Sequence, residues 1–137
     1  KDCPRTFCNG DFLQFNAIYN KRRVVLIDWA FGGMMPYSLD IARLIAHGTE
    51  NRITFPFYMN DEQRRIFVDT VYEKLIIKPD YNRYLLDIKL SLLNECIEFI
   101  EEDLNHPNEI RDVSFEYYYN TALNLSNEIN KIIEIDE

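Results

Sequence analysis

Glycine is scarce in this chain: four in 137 residues, at positions 10, 32, 33 and 48. They cannot compose a G-x-G-x-x-G fingerprint or a Walker loop, so no glycine-rich phosphate cradle is present. A V-A-I-K-like strand with a phosphate-gripping lysine is also missing. Cysteine is limited to Cys3, Cys8 and Cys96, which form neither a C-x-x-C nor an even framework. With His47 and His106 far apart in sequence, these thiols do not suggest a zinc site, and reduced cysteines in a cytoplasmic protein are expected. No apolar run approaches the roughly 18 residues that span a bilayer, and no signal-peptide pattern is visible, so a membrane partner is not expected. Basic charge is in deficit. A net charge of −8 argues against nucleic acid, whose phosphates need a basic face. An acidic chain suits cationic small molecules, and it also serves plain solubility.

What is present is the balance of a globular domain, 47% hydrophobic and 28% charged, with length enough to bury a core. The stretch that organises the rest is Asn9 to Asp28, N-G-D-F-L-Q-F-N-A-I-Y-N-K-R-R-V-V-L-I-D. Asp11 and Asn16 share a short loop, and Gly10 permits a tight turn before them. Ala17-Ile18-Tyr19 and Arg23 to Ile27 read as a β-hairpin turning at Asn20-Lys21-Arg22. Such a hairpin returns Asp28 to the neighbourhood of the loop. A carboxylate, an amide and a second carboxylate then converge on one hydroxyl and one hard cation, the minimum set for metal-assisted phosphoryl transfer.

The spacing N-G-D-x-x-x-x-N followed by I-D-W parallels the protein-kinase catalytic loop and its metal-binding Asp. It resembles more closely the kinase-like small-molecule phosphotransferases, the aminoglycoside phosphotransferase and choline kinase group, with the pattern H-G-D-x-x-x-x-N…I-D-[WFL]. Pro4 to Cys8 is similar to that family's lead-in. Ser38-Leu39-Asp40-Ile41-Ala42-Arg43 is similar to its D-[IL]-A-R helix. The likeness covers about the first 48 residues in detail. It implies that Asp11 is the catalytic base, that Asn16 and Asp28 hold Mg²⁺, and that Asp40 braces the catalytic loop. First-turn stabilisation of the helix dipole is the plainer role for Asp40. Asn9 departs from the family's His; it is expected to brace the loop with shorter reach and without a ring, which bears on activity more than on fold. Trp29, in the place of the Phe of D-F-G, is expected to pack under the site.

The remainder reads as helices. Ser38 is a good N-cap for a helix stopping at Gly48, and Thr49 to Met59 reads as a loop. Asn60 and Gln63 form a capping box opening a helix to about Ile77, with Ile66, Phe67, Val71 and Leu75 on one face. A longer helix follows Pro79-Asp80 to about Leu104, and a last one runs from about Ser114 to Ile133. Phe7 is expected to be buried beside the loop, Gln14 to be solvated, and Glu95, Glu98, Glu101, Glu102 and Asp103 to form a solvated helix face. The fold class expected is mainly α with a small hairpin, the carboxy-terminal lobe of a kinase-like fold, α+β overall. The chain opens at Lys1, ten residues before Asp11, so residues 1–137 are expected to be that lobe alone, with an amino-terminal nucleotide lobe outside this chain. The function implied is transfer of the γ-phosphate of ATP or GTP to a hydroxyl of a small molecule, aminoglycoside-like or an amino alcohol. The rival reading is a non-catalytic, pseudokinase-like helical binding domain. A metal-dependent hydrolase built on Asp11 and Asp28 ranks below both, for want of further His or carboxylate ligands.

Overall fold

The computed structural model describes residues 3–48, 57–106 and 115–135. Its elements in chain order are β1 (Arg5–Cys8), a single 3₁₀ turn (Gln14–Asn16), β2 (Ala17–Asn20), β3 (Arg23–Leu26), β4 (Gly33–Pro36), α1 (Ser38–Gly48), α2 (Asp61–Lys74), α3 (Tyr81–Asn105) and α4 (Phe115–Ile135). The chain is mainly helical, as expected.

The hairpin forms where the sequence places it, with Ile18 opposite Val25 and Tyr19 opposite Val24. A second two-stranded sheet was not foreseen. β1 pairs antiparallel with β4, setting Phe7 opposite Met34 and Cys8 opposite Gly33. Side chains alternate across a strand, so Cys8 turns inward while Phe7 turns out. Phe7 is therefore 64% exposed, contrary to the expectation of a buried ring, and it stacks on Trp29 with centroids 5.6 Å apart. Trp29 itself is half exposed and donates its indole N–H to the Leu26 carbonyl at 3.0 Å.

The core is built where α1 lies against α3. Tyr37, Ile41 and Ile45 meet Tyr84 and Ile88 there, and Phe67, Val71 and Leu75 of the α2 segment close over them. Tyr37 and Tyr84 stack at 5.6 Å, and the Tyr37 hydroxyl donates to buried Asp87 at 2.8 Å. The hydroxyls of Ser38 and Ser91 hydrogen-bond at 2.7 Å, joining the start of α1 to α3. α4 packs along α3, where Tyr118 stacks on Phe99 and its hydroxyl pairs with His47 Nδ1 at 3.2 Å. α2 opens on the expected capping box: Asn60 accepts from the Gln63 N–H and the Gln63 side chain from the Asn60 N–H. It stops at Lys74, short of the expected Ile77, and Leu75 turns to an extended backbone. Ile66 is exposed and not on the packed face. Among the described residues no helix is long and apolar enough to cross a membrane.

Candidate active site

The loop after β1 begins with Asn9, only 1% exposed. Its side-chain amide donates to the carbonyls of Ile27 at 3.3 Å and Asp28 at 3.1 Å, while its Oδ1 accepts from the Asp11 N–H at 3.3 Å. One side chain thus ties the loop to the end of the hairpin. Both ends of the amide take part in these bonds.

Gly10 follows at φ +80°, a conformation that side chains rarely adopt. That turn points the N–H groups of Asn9 and Gly10 toward α1, where Asp40 accepts both, Oδ2 at 2.6 Å and Oδ1 at 2.9 Å. Asp40 in the first turn of α1 therefore clamps the loop backbone, and the plainer dipole role does not account for both bonds.

Asp11 sits beyond this clamp. Its Oδ1 accepts from Arg43 Nη2 at 2.8 Å and Nε at 3.1 Å, and its Oδ2 accepts from Asn16 Nδ2 at 3.2 Å. Asn16 also donates to the Asp11 carbonyl at 2.9 Å. Nδ2 of Asn16 is thus committed to Asp11, while its Oδ1 takes no hydrogen bond from the described residues. The backbone carbonyl of Asn16 accepts from the Ile27 N–H at 2.9 Å, so the loop and the hairpin end are joined a second time. Asp28 then takes φ 54°, the left-handed region, which costs a non-glycine residue about 1–3 kcal/mol.

The structure thus brings Asn9, Asp11, Asn16, Asp40 and the backbone of Asp28 into one hydrogen-bonded web. The Asp28 carboxylate is exposed and takes no hydrogen bond from the described residues. That oxygen pair and the uncommitted Oδ1 of Asn16 are hard donors of the type Mg²⁺ prefers. Two protein ligands suffice for an ion that retains waters or phosphate oxygens. No cluster of three or more His, Cys, Asp or Glu side chains able to hold a metal occurs among the described residues, so a cage supplied wholly by those side chains is not what this geometry offers.

Two participants escaped the sequence reading. Arg43 reaches from α1 to Asp11 and, through Nη1, to Glu95 Oε2 on α3 at 3.0 Å. Burial opposes the Arg43 charge, but its bonds to Glu95 and Asp11 outweigh that and hold its pKa above the ordinary value. Burial raises the Glu95 carboxyl, with Arg43 pulling the other way. Glu95 is 6% exposed, so the expectation of a solvated face fails at this residue. Its spacing after Ile88 and Ser91 and before Phe99 was the available signal, since that places it on the inward stripe of α3. Gln14 was expected in solvent, but it donates to the Leu44 carbonyl at 3.1 Å, and its Oε1 is buried.

Comparison with known proteins finds no matching family model and no matching curated protein.

Proposed function

We propose that this chain is the catalytic lobe of a phosphotransferase that moves the γ-phosphate of ATP or GTP to a hydroxyl of a small molecule. The observation that carries the reading is the state of Asp11. It is a carboxylate fixed on both oxygens, on a loop clamped by Asp40 and joined through Asn9 and Asn16 to a strained Asp28. Phosphoryl transfer asks a protein mainly for positioning and electrostatics, and such a web supplies both. Asp11 orients the acceptor hydroxyl and accepts its proton. Asn16 and Asp28 hold Mg²⁺, which when bound neutralises developing phosphate charge. Asn9 and Asp40 keep the loop in register. The nucleotide's remaining contacts come from an amino-terminal lobe outside these residues, the acceptor is a cationic small molecule, and the setting is cytoplasmic.

One observation favours the rival, a non-catalytic binding domain: both Asp11 oxygens already have protein donors, and Arg43 neutralises the carboxylate. A coupled ADP-release assay separates the two. The full-length protein, amino-terminal lobe included, is incubated with Mg·ATP or Mg·GTP and a panel of kanamycin, choline, ethanolamine and glucose. Acceptor-dependent turnover is expected, falling by at least about a hundredfold in Asp11→Ala, the lower range of a general-base contribution. Turnover unchanged in Asp11→Ala would sink the phosphotransferase reading. Absence of any Mg-dependent nucleotide binding would favour the binding domain.

A further inference from the structure

Asp11 has two carboxylate oxygens, and the chain treats them differently. Oδ1 takes two N–H groups from one guanidinium edge, Nε at 3.1 Å and Nη2 at 2.8 Å, which uses both lone pairs. Oδ2 takes a single bond from Asn16 at 3.2 Å and keeps a lone pair in hand. The guanidinium is itself held on two further sides. Its Nη1 meets Glu95 at 3.0 Å, and its central carbon lies 5.5 Å from the centroid of the Phe99 ring. Glu95 is buried at the middle of α3, a costly place for a carboxylate unless a cation compensates it. A carboxylate retained there fixes where the arginine lies, and the arginine fixes the carboxylate beyond it.

We propose that Arg43, anchored by Glu95, is a positioning residue for Asp11, and that it directs Oδ2 toward the acceptor hydroxyl. The inference rests on the phosphotransferase reading for its kinetic consequence, but its structural half stands on geometry alone. A lysine cannot substitute, because a single ammonium does not present two parallel N–H groups to one edge. Glutamine at position 95 still offers Arg43 an oxygen, whereas alanine does not.

Two readouts test this on the full-length protein, amino-terminal lobe included. The first is the side-chain amide of Asn16, followed by ¹⁵N NMR. Its Nδ2 is committed to Asp11 in the native protein. Arg43→Met leaves Glu95 buried without its cation and risks unfolding, so the decisive variant is Arg43→Met with Glu95→Leu, which removes both charges together. In the folded double variant the Asn16 amide signals should move and exchange faster with solvent, and Glu95→Gln should retain the native signals better than Glu95→Ala. Unchanged Asn16 signals in the double variant would overturn the proposal, whatever the activity. The second readout is ADP release with the same acceptor panel. Misplacing a reacting group by about 1 Å costs on the order of a hundredfold. The double variant and Arg43→Lys should therefore lose about that factor in kcat, with KM for Mg·ATP within about twofold of the parent, since neither residue is assigned to the nucleotide. If Asp11→Ala abolishes turnover while the double variant keeps it, positioning by Arg43 is wrong and the phosphotransferase stands. If Asp11→Ala has no effect, the phosphotransferase reading fails, and the Asn16 signals still decide where Arg43 holds Asp11.

Discussion

Gly10 shows how little latitude the loop has. At its φ of +80° an added methyl would press into the Phe31 carbonyl, with that carbon 2.8 Å away and the Met35 methyl 2.9 Å away. Backbone, not a flexible side chain, would have to move. Gly10→Ala should therefore cost at least about 1–3 kcal/mol, read as a lower urea midpoint, because the backbone strain alone is of that order. The same shift pulls the Asn9 and Gly10 N–H groups off Asp40. At this scale the sequence is most legible where the residue type carries its own chemistry. Asp11, Asn16 and Asp28 stand out by residue type and spacing, and Asp40 by the family likeness; the web around the loop takes in the side chains of Asp11, Asn16 and Asp40 but only the backbone of Asp28. Arg43 and Glu95 could not be paired in advance, because their contact crosses 52 residues and depends on how α1 lies against α3. Phe7 misleads for another reason: it and Cys8 are adjacent apolar residues of one short strand, and alternation lets only one of them face inward.

Among the elements, α2 has no fully buried residue and relies on its N-terminal box and a half-buried face. Asn60→Ala removes the acceptor for the Gln63 N–H and should cost about 1 kcal/mol. Amide hydrogen exchange in the first turn of α2 should accelerate while that of α3 stays as it was. Helix starts at Asn60 and Asp80 are legible because a capping side chain leaves a local signature. The end of α2 is less so. The β-branched pair Ile76-Ile77 weakens the helix, and the Tyr72 hydroxyl draws in the Pro79 carbonyl at 2.9 Å, a contact made only once the chain has turned. β4 is illegible for a plainer reason: Gly33-Met34-Met35-Pro36 has no strand signal, and its partner β1 alone makes it a strand.

For the whole molecule, burial keeps several weak acids of the core protonated well into the alkaline range. Burial pushes the Cys8 and Cys96 thiols up to about 11, and burial together with neighbouring acidic groups pushes Tyr37 and Tyr84 well above their ordinary range. Each thiol binds its proton more tightly in the folded chain than at its ordinary value of 9.0. Stability from these groups is thus intact below pH 9 and declines as the pH rises toward about 11. Urea midpoints measured across that interval should fall steadily, and replacing Cys96 by Ser should flatten the part of the slope that belongs to its thiol. The mainly helical class was readable from hydrophobic periodicity, since Ile88, Cys96, Tyr118 and Ile129 all lie inward as their spacing requires. The way the two small sheets sit before the helices was not, because it rests on the long-range pairing of β1 with β4. Trp29 lies in that region, stacked on Phe7 and next in sequence to Asp28, and it is the chain's single tryptophan. The protein's indole emission therefore originates at one address, and it offers a label-free optical gauge of events at the Asp28 turn.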